Sequence, residues 1–245
     1  MTAVVLTRPQ ADSERLSQAL QGEGFQTRVM PIMSIEAMPA AELAPSLSGD
    51  TLCIFISANA VRFGLPQLGP ELARYSELTV IAVGNKTRDT LEAEGIHAEV
   101  PVRADSEGLL EMPALSAPDL RDVVIVKGEG GRELLASELT RRGARVTEWA
   151  CYRRCWPDVD VSGLAEIGAG LVFQASSGEV LFRLAELLAG EGQADLFQSP
   201  IIVPSGRVAS LATEAGWGQV ILAEDASDDA FIRALKQHTQ PGTNR

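Results

Sequence analysis

The stretch Gly143–Arg154, GARVTEWACYRR, lies between two halves of the chain that read as copies of one plan. Arg145 to Tyr152 alternates well enough to predict a strand. Pro157 follows closely and blocks continuation into a helix. The strand ends on Tyr152, one of only two tyrosines, with Arg153 and Arg154 beside it. An aromatic hydroxyl next to two cations, at the hinge between two halves, can sit over a cleft. A strand-end tyrosine lying on a surface is the plain alternative.

Working outward, the same plan appears on both sides. Val4–Thr7 predicts a strand, Asp12-Ser13 a cap, and Leu16 and Leu20 the buried face of a helix to Gly22. Leu16, Leu20 and Gly24 recur 119 residues later as Leu135, Leu139 and Gly143. Phe25–Met30 predicts a strand, Pro31–Pro39 an extended crossing, and Ala40–Gly49 a short helix. Leu52–Ile56 is a buried strand before Ser57-Ala58-Asn59, with a helix from Ala60; Leu171–Ala175 before Ser176-Ser177-Gly178 mirrors it. Thr79–Val83, the turn Gly84–Thr87 and a helix to Glu94 are mirrored from Ile201. His97–Val100 predicts a short strand, and Ser106-Glu107-Gly108 opens another helix. Ser57 plus 119 is Ser176; Gly84, Gly95 and Ser106 plus 121 give Ser205, Gly216 and Ser227. So steady an offset predicts two α/β units with parallel sheets from one duplicated plan. The tail Gln240–Arg245 reads as disordered.

Composition narrows the function. The 245 residues suit one large or two small domains, and 45% hydrophobic content is that of a soluble globular protein. No apolar run approaches the ~18 residues of a membrane helix. The N-terminal MTAVVLTRP reads as a strand rather than a signal peptide. Cys53, Cys151 and Cys155 are odd in number and lack CxxC spacing, which predicts free thiols and a cytoplasmic setting. With only His97 and His238 besides, they make a poor metal set. A net charge of -12 argues against nucleic acid as a partner. It leaves a small anion open, because backbone N–H groups bind anions locally.

The chemistry candidates are the turns from strand to helix, since ligands of open parallel sheets sit beyond the carboxyl ends of the strands. Thr7, Ser57, Asn59, Thr87, Lys127, Gly128, Ser176, Ser177 and Ser205 all fall there. Each singly can be a helix cap. As a set on both units they predict an anion-binding cleft. Lys127–Arg132, KGEGGR, has neither the P-loop order nor the GxGxxG register, so nucleotide binding is rejected. Ser57 and Ser176 lack the GxSxG elbow, and two histidines are too few for a Ser-His-Asp site. His97 reads as structural and His238 as solvated. Asp228-Asp229 and Arg141-Arg142 read as helix-dipole partners, and Trp149, Trp156 and Trp217 as packing residues.

These pieces in this order resemble the uroporphyrinogen-III synthase family. The carriers are VVLTRP (Val4–Pro9), FISANAV (Phe55–Val61), AVGNKT (Ala82–Thr87), SEGLL (Ser106–Leu110), VKGEGGRELL (Val126–Leu135), YRR (Tyr152–Arg154), FQASSGEV (Phe173–Val180) and the run Ser205–Trp217. The chain departs from the family at Lys127, where arginine is common, and at Gln174, where threonine is common. The resemblance implies two flavodoxin-like domains joined by a two-stranded linker. Transferred here, domain one is 1–35 plus 158–245, domain two is 41–149, and the linkers are 36–40 and 150–157. It implies cyclisation of hydroxymethylbilane, a linear tetrapyrrole, to uroporphyrinogen III, with ring D inverted, water lost and no cofactor or metal. Tyr152 is then the group that assists departure of the hydroxyl. Arg8, Ser57, Asn59, Thr87, Lys127, Gly128, Ser176, Ser177 and Ser205 would grip the substrate's carboxylates. A monomer that takes its substrate from hydroxymethylbilane synthase, without membrane or nucleic acid, is expected. Two other classes fit the residues alone: a bilobed sensor for a small anion, and a different α/β enzyme acting on one.

Overall fold

Three apolar runs, AVVL at Ala3–Leu6, LCIF at Leu52–Phe55 and LVFQ at Leu171–Gln174, are buried at every position. Continuous burial is what a parallel strand covered on both faces requires. The computed structural model describes residues 2–38, 44–75, 78–116, 121–131, 133–168 and 170–239. Arg132, residues 40–43 of the helix expected over Ala40–Gly49, and the tail 240–245 lie outside the described residues.

Strands and helices alternate. β1 (Ala3–Leu6) leads to α1 (Gln10–Gly22), β2 (Gln26–Val29) and β3 (Ser34–Ala37). β4 (Leu52–Phe55), α2 (Ala58–Arg74), β5 (Thr79–Ala82) and α3 (Asn85–Ala93) follow. Two short helices, α4 (Ser106–Leu110) and α5 (Pro113–Ser116), precede β6 (Asp122–Gly128), α6 (Leu134–Arg141) and β7 (Arg145–Cys155). The chain ends through β8 (Leu171–Gln174), α7 (Gly178–Gly190), β9 (Pro200–Val203), α8 (Gly206–Glu214), β10 (Gln219–Leu222) and α9 (Asp228–Thr239). Contacts divide it into two units, Met1–Ser34 with Cys155–Arg245, and Ile35–Arg154.

The first unit holds a five-stranded sheet in the order β10-β9-β8-β1-β2, parallel throughout. Alternate residues of each strand feed opposite cores. Val5, Phe173, Ile201 and Val203 pack with Leu181 and Leu184 of α7 and Val208 of α8. Val4, Leu6, Val172 and Ile202 pack with Leu16 and Leu20 of α1 and Phe231 and Leu235 of α9. Each fully buried large side chain contributes roughly 1.5–3 kcal/mol. Phe173 and Phe197 both meet Trp217 edge-on, at 5.3 and 5.1 Å between centroids.

The second unit holds a sheet in the order β3-β7-β6-β4-β5. The pairs β4–β5, β4–β6 and β6–β7 are parallel. Cys53, Phe55, Val124 and Val126 face α2 and α3 through Val61, Leu68 and Leu91. Leu52, Ile54, Val123 and Ile125 face α4 and α6 through Leu109, Leu135 and Leu139. Residues 36–37 and 150–155 are strand here, in the neighbouring β3 and β7.

Four local expectations are corrected. Asp12 and Ser13 do not cap α1: it begins right after Pro9, and Ser13 is buried with its hydroxyl donating to the Arg8 carbonyl. Proline suits that position because it has no N–H to satisfy. Residues 44–48 are not helical, and Pro45 restricts what precedes it to extended backbone. The strand expected at His97–Val100 shrinks to one bridge, Ile81 to Glu99. Trp156 is not a packing residue but is 38% exposed.

Candidate functional site

The second unit's carboxyl edge is assembled around Gly128. A register shift between Lys127 and Gly128 sets Gly128 opposite Tyr152. A Cβ on Gly128 would lie 2.5 Å from Tyr152 Cζ, so only glycine leaves room for the ring. The ring is 7% exposed and tilts against Phe63 at 5.8 Å. The Glu129 N–H donates to the Tyr152 carbonyl at 2.7 Å and pins the backbone.

The Tyr152 hydroxyl lies 3.0 Å from Ser57 Oγ, 95 residues away. Ser57 is the extended residue before α2, and its Oγ accepts from the Ala60 N–H at 3.0 Å. Such caps satisfy N–H groups that the helix itself leaves unpaired. α2 can approach this closely because of Gly64, where a Cβ would fall 2.7 Å from Val126 Cγ1. With one lone pair committed to Ala60, Ser57 still has its proton to give. If it gives that proton to Tyr152 Oη, the tyrosine's own proton points away and is free for a ligand.

The other expected residues distribute as follows. Asn59 stands half-buried in the first turn of α2. Thr87 is buried in α3, its N–H donating to the Gly84 carbonyl at 3.1 Å. Lys127 lies on the opposite face of the sheet from Tyr152, with Nζ 2.5 Å from Glu148 Oε1. In the first unit, Ser177 caps α7, accepting from the Val180 N–H at 3.3 Å, and Ser205 caps α8, accepting from Val208 at 3.4 Å. Ser176 precedes the cap of α7, so the residue that caps α7 as Ser57 caps α2 is Ser177. Arg8 is 8% exposed, giving Nη1 to Asp228 at 2.5 Å and Nη2 to the Ala226 carbonyl at 2.9 Å. Within the units, then, Tyr152, Ser57 and Gly128 come together; Lys127 sits apart from them, and Arg8 is already engaged.

Three structural details escape the sequence. Asp228 is more than a dipole partner, because it also accepts from Arg15 Nε at 2.9 Å. Burial alone would push its pKa up, but the Arg15 hydrogen bond and the charges of Arg8 and Arg15 outweigh it and hold the carboxyl below its usual range. Gln174 joins β8 to the end of β1 twice over. The Thr7 hydroxyl donates to its carbonyl at 2.5 Å, and the Thr7 N–H donates to its Oε1 at 3.3 Å. A threonine side chain is too short for the second bond. Burial disfavours the thiolate of both buried cysteines, pushing Cys53 up to about 12 and Cys151 up to about 11. Among the described residues no helix is long and apolar enough to cross a membrane, and no three His, Cys, Asp or Glu gather as a metal set.

Known proteins share both the sequence and the fold. A family model described as uroporphyrinogen-III synthase HemD matches residues 14–233. Uroporphyrinogen-III synthase of Salmonella typhimurium is 32% identical, over 96% of this chain and 100% of the relative. That of Escherichia coli K12 is 31% identical with the same coverage. In fold, the chain is similar to a mutant uroporphyrinogen III synthase from Thermus thermophilus, with TM-score 0.64 and 16% identity, covering 99% of this chain and 100% of that one. It is also similar to uroporphyrinogen-III synthetase from Helicobacter pylori, at 0.59 and 14%, covering 95% and 97%.

Proposed function

The chain belongs to the uroporphyrinogen-III synthase family, and from that premise we propose how its own residues serve the reaction. The enzyme is a lyase: it cyclises hydroxymethylbilane to uroporphyrinogen III, inverting ring D and releasing water. The observation that carries the residue assignment is the Tyr152–Ser57 contact at the sheet's carboxyl edge. Tyr152 gives its proton to the departing hydroxyl while the pyrrole nitrogen pushes the C–O bond apart. Water and a cation result, and Ser57 donates to the phenolate left behind. Ring D then attacks to form the spiro intermediate, the old link breaks, and closure follows. The proton that ring D loses on closure returns to Tyr152, so the cycle balances. The pyrroles supply the electron push, which is why a weak acid and a firm hold on the chain suffice.

Carboxylates are held at the capped helix starts after Ser57, Ser177 and Ser205, where N–H groups and the helix dipole favour anions. Asn59, Thr87 and Ser176 line the same strand ends. The order β2-β1-β8-β9-β10 is that of a flavodoxin sheet. Read from β6, the second sheet runs β7-β6-β4-β5 in the same sense, which supports one duplicated plan in which each sheet takes the start of one repeat and the end of the other. The proposed enzyme works as a monomer, without a cofactor. It takes the bilane directly from hydroxymethylbilane synthase, because unassisted closure competes.

The test is initial rate and isomer ratio for wild type, Tyr152→Phe and Ser57→Ala, with thermal melts as controls. General acid assistance contributes ~100- to 10,000-fold; Tyr152→Phe should lose about 100-fold, the low end, since the pyrrole nitrogen expels the hydroxyl unaided. Ser57→Ala should lose less, because its backbone donors stay. Equal rates for wild type and Tyr152→Phe would reduce the tyrosine to a packed strand end.

A further inference from the structure

We infer that Lys127 anchors a subsite for one carboxyalkyl arm of the substrate, entered by exchange of carboxylates with Glu148; this rests on the cyclisation just described. Val124 and Val126 pack on the side of Tyr152, while Ile125 packs on the side of α4 and α6. Lys127 follows Ile125 by two residues and shares its face. A pocket of about 290 Å³ opens there, walled by Ile56, Val83, Ile125 and Leu135, with Lys127 and Glu148 at its polar end. Asp105 also lines it, but its charge is committed: it accepts from the Gly108 N–H at 2.7 Å and pairs with Arg103 at 2.8 Å.

The two partners of the ion pair are unequal. The Lys127 side chain is 10% exposed and that of Glu148 36%. A buried ammonium stripped of its carboxylate is costly, so Lys127 must always have one. Glu148, already partly in water, can turn outward and be replaced. A short alkyl carboxylate fits: its methylenes meet the apolar walls and its oxygens meet Lys127. Arg8, which precedes Lys127 by 119 residues, occupies the matching strand end of the first unit. Its guanidinium is engaged by Asp228 and Ala226, and the cavity beside it is about 10 Å³, room for no more than a water. The cavity at Lys127 has space for an arm that the cavity at Arg8 lacks.

The experiment is calorimetric titration with uroporphyrin III, the air-stable octacarboxylate, alongside KM for hydroxymethylbilane. Loss of a charge-assisted contact corresponds to about tenfold in affinity, so Lys127→Met should weaken binding by that much, and Lys127→Arg should restore it. Glu148→Gln removes the competing carboxylate and should tighten binding several-fold, with KM falling in parallel. The double variant Lys127→Met/Glu148→Gln leaves no charge unpaired, so it should stay folded and bind like Lys127→Met. Unchanged or weakened binding by Glu148→Gln, or unchanged binding by Lys127→Met or the double variant, in proteins with native melts, overturns the subsite. If wild type still makes uroporphyrinogen III in that case, the reaction stands and only the subsite falls. A wild type that makes none removes the reading underneath it.

Discussion

At the scale of single residues, everything at Tyr152 depends on what a neighbour lacks. Gly128 has no side chain, so the ring can lie on the backbone with its hydroxyl held at Ser57. Gly128→Ala should therefore act on Tyr152 without touching it. Overpacking of this kind costs about 1–3 kcal/mol, to be read from urea denaturation, and the displaced hydroxyl should cost activity on the scale of Tyr152→Phe. A Gly128→Ala variant with wild-type rate and stability would show that the ring's position does not matter. The sequence made Tyr152 visible, because a rare aromatic beside two cations stands out. It could not reveal Ser57 as its partner: nothing local links residues 95 positions apart. Glu148 was equally hidden, for a lone acid on a strand carries no signal until the sheet is formed.

At the scale of elements, apolar runs were readable because a buried parallel strand must be apolar throughout. Caps were readable when serine sat right before the first helical turn, as at Ser205. The pair Ser176-Ser177 left open which serine caps, and the cap expected at Asp12-Ser13 fails because α1 begins right after Pro9. α9 shows what pattern reading misses. Its first-turn Asp228 ties α9 to the turn after β1 through Arg8 and to α1 through Arg15, across 220 and 213 residues. This has a pH consequence with a definite sign. The folded pKa of Asp228 is depressed. Its contribution is thus present above the unfolded value, ~4 for an aspartate, and is lost as pH falls through the lower folded value. Melting temperature should drop below about pH 4, and Asp228→Asn should be less stable at pH 7 but flatter in acid. Parallel curves for the two proteins from pH 7 to pH 3 would remove Asp228 from that role.

At the scale of the whole molecule, the second unit is one continuous piece, Ile35–Arg154, with a core on each face of its sheet. Expressed alone, residues 35–154 should unfold cooperatively in urea; a gradual, non-cooperative loss of structure would mean that this unit depends on the rest of the chain. The first unit needs both chain ends, since β1 lies between β2 and β8. The order of strands in that sheet could not be read from the repeat, which pairs each half of the chain with itself. The family's chemistry imposes one outcome on the whole 245-residue chain. Hydroxymethylbilane made enzymatically is added to the full chain, the product is oxidised, and the porphyrin isomers are separated. Isomer III in excess, formed faster than spontaneous closure, is the expected result; isomer I alone, at the rate seen without protein, would contradict it.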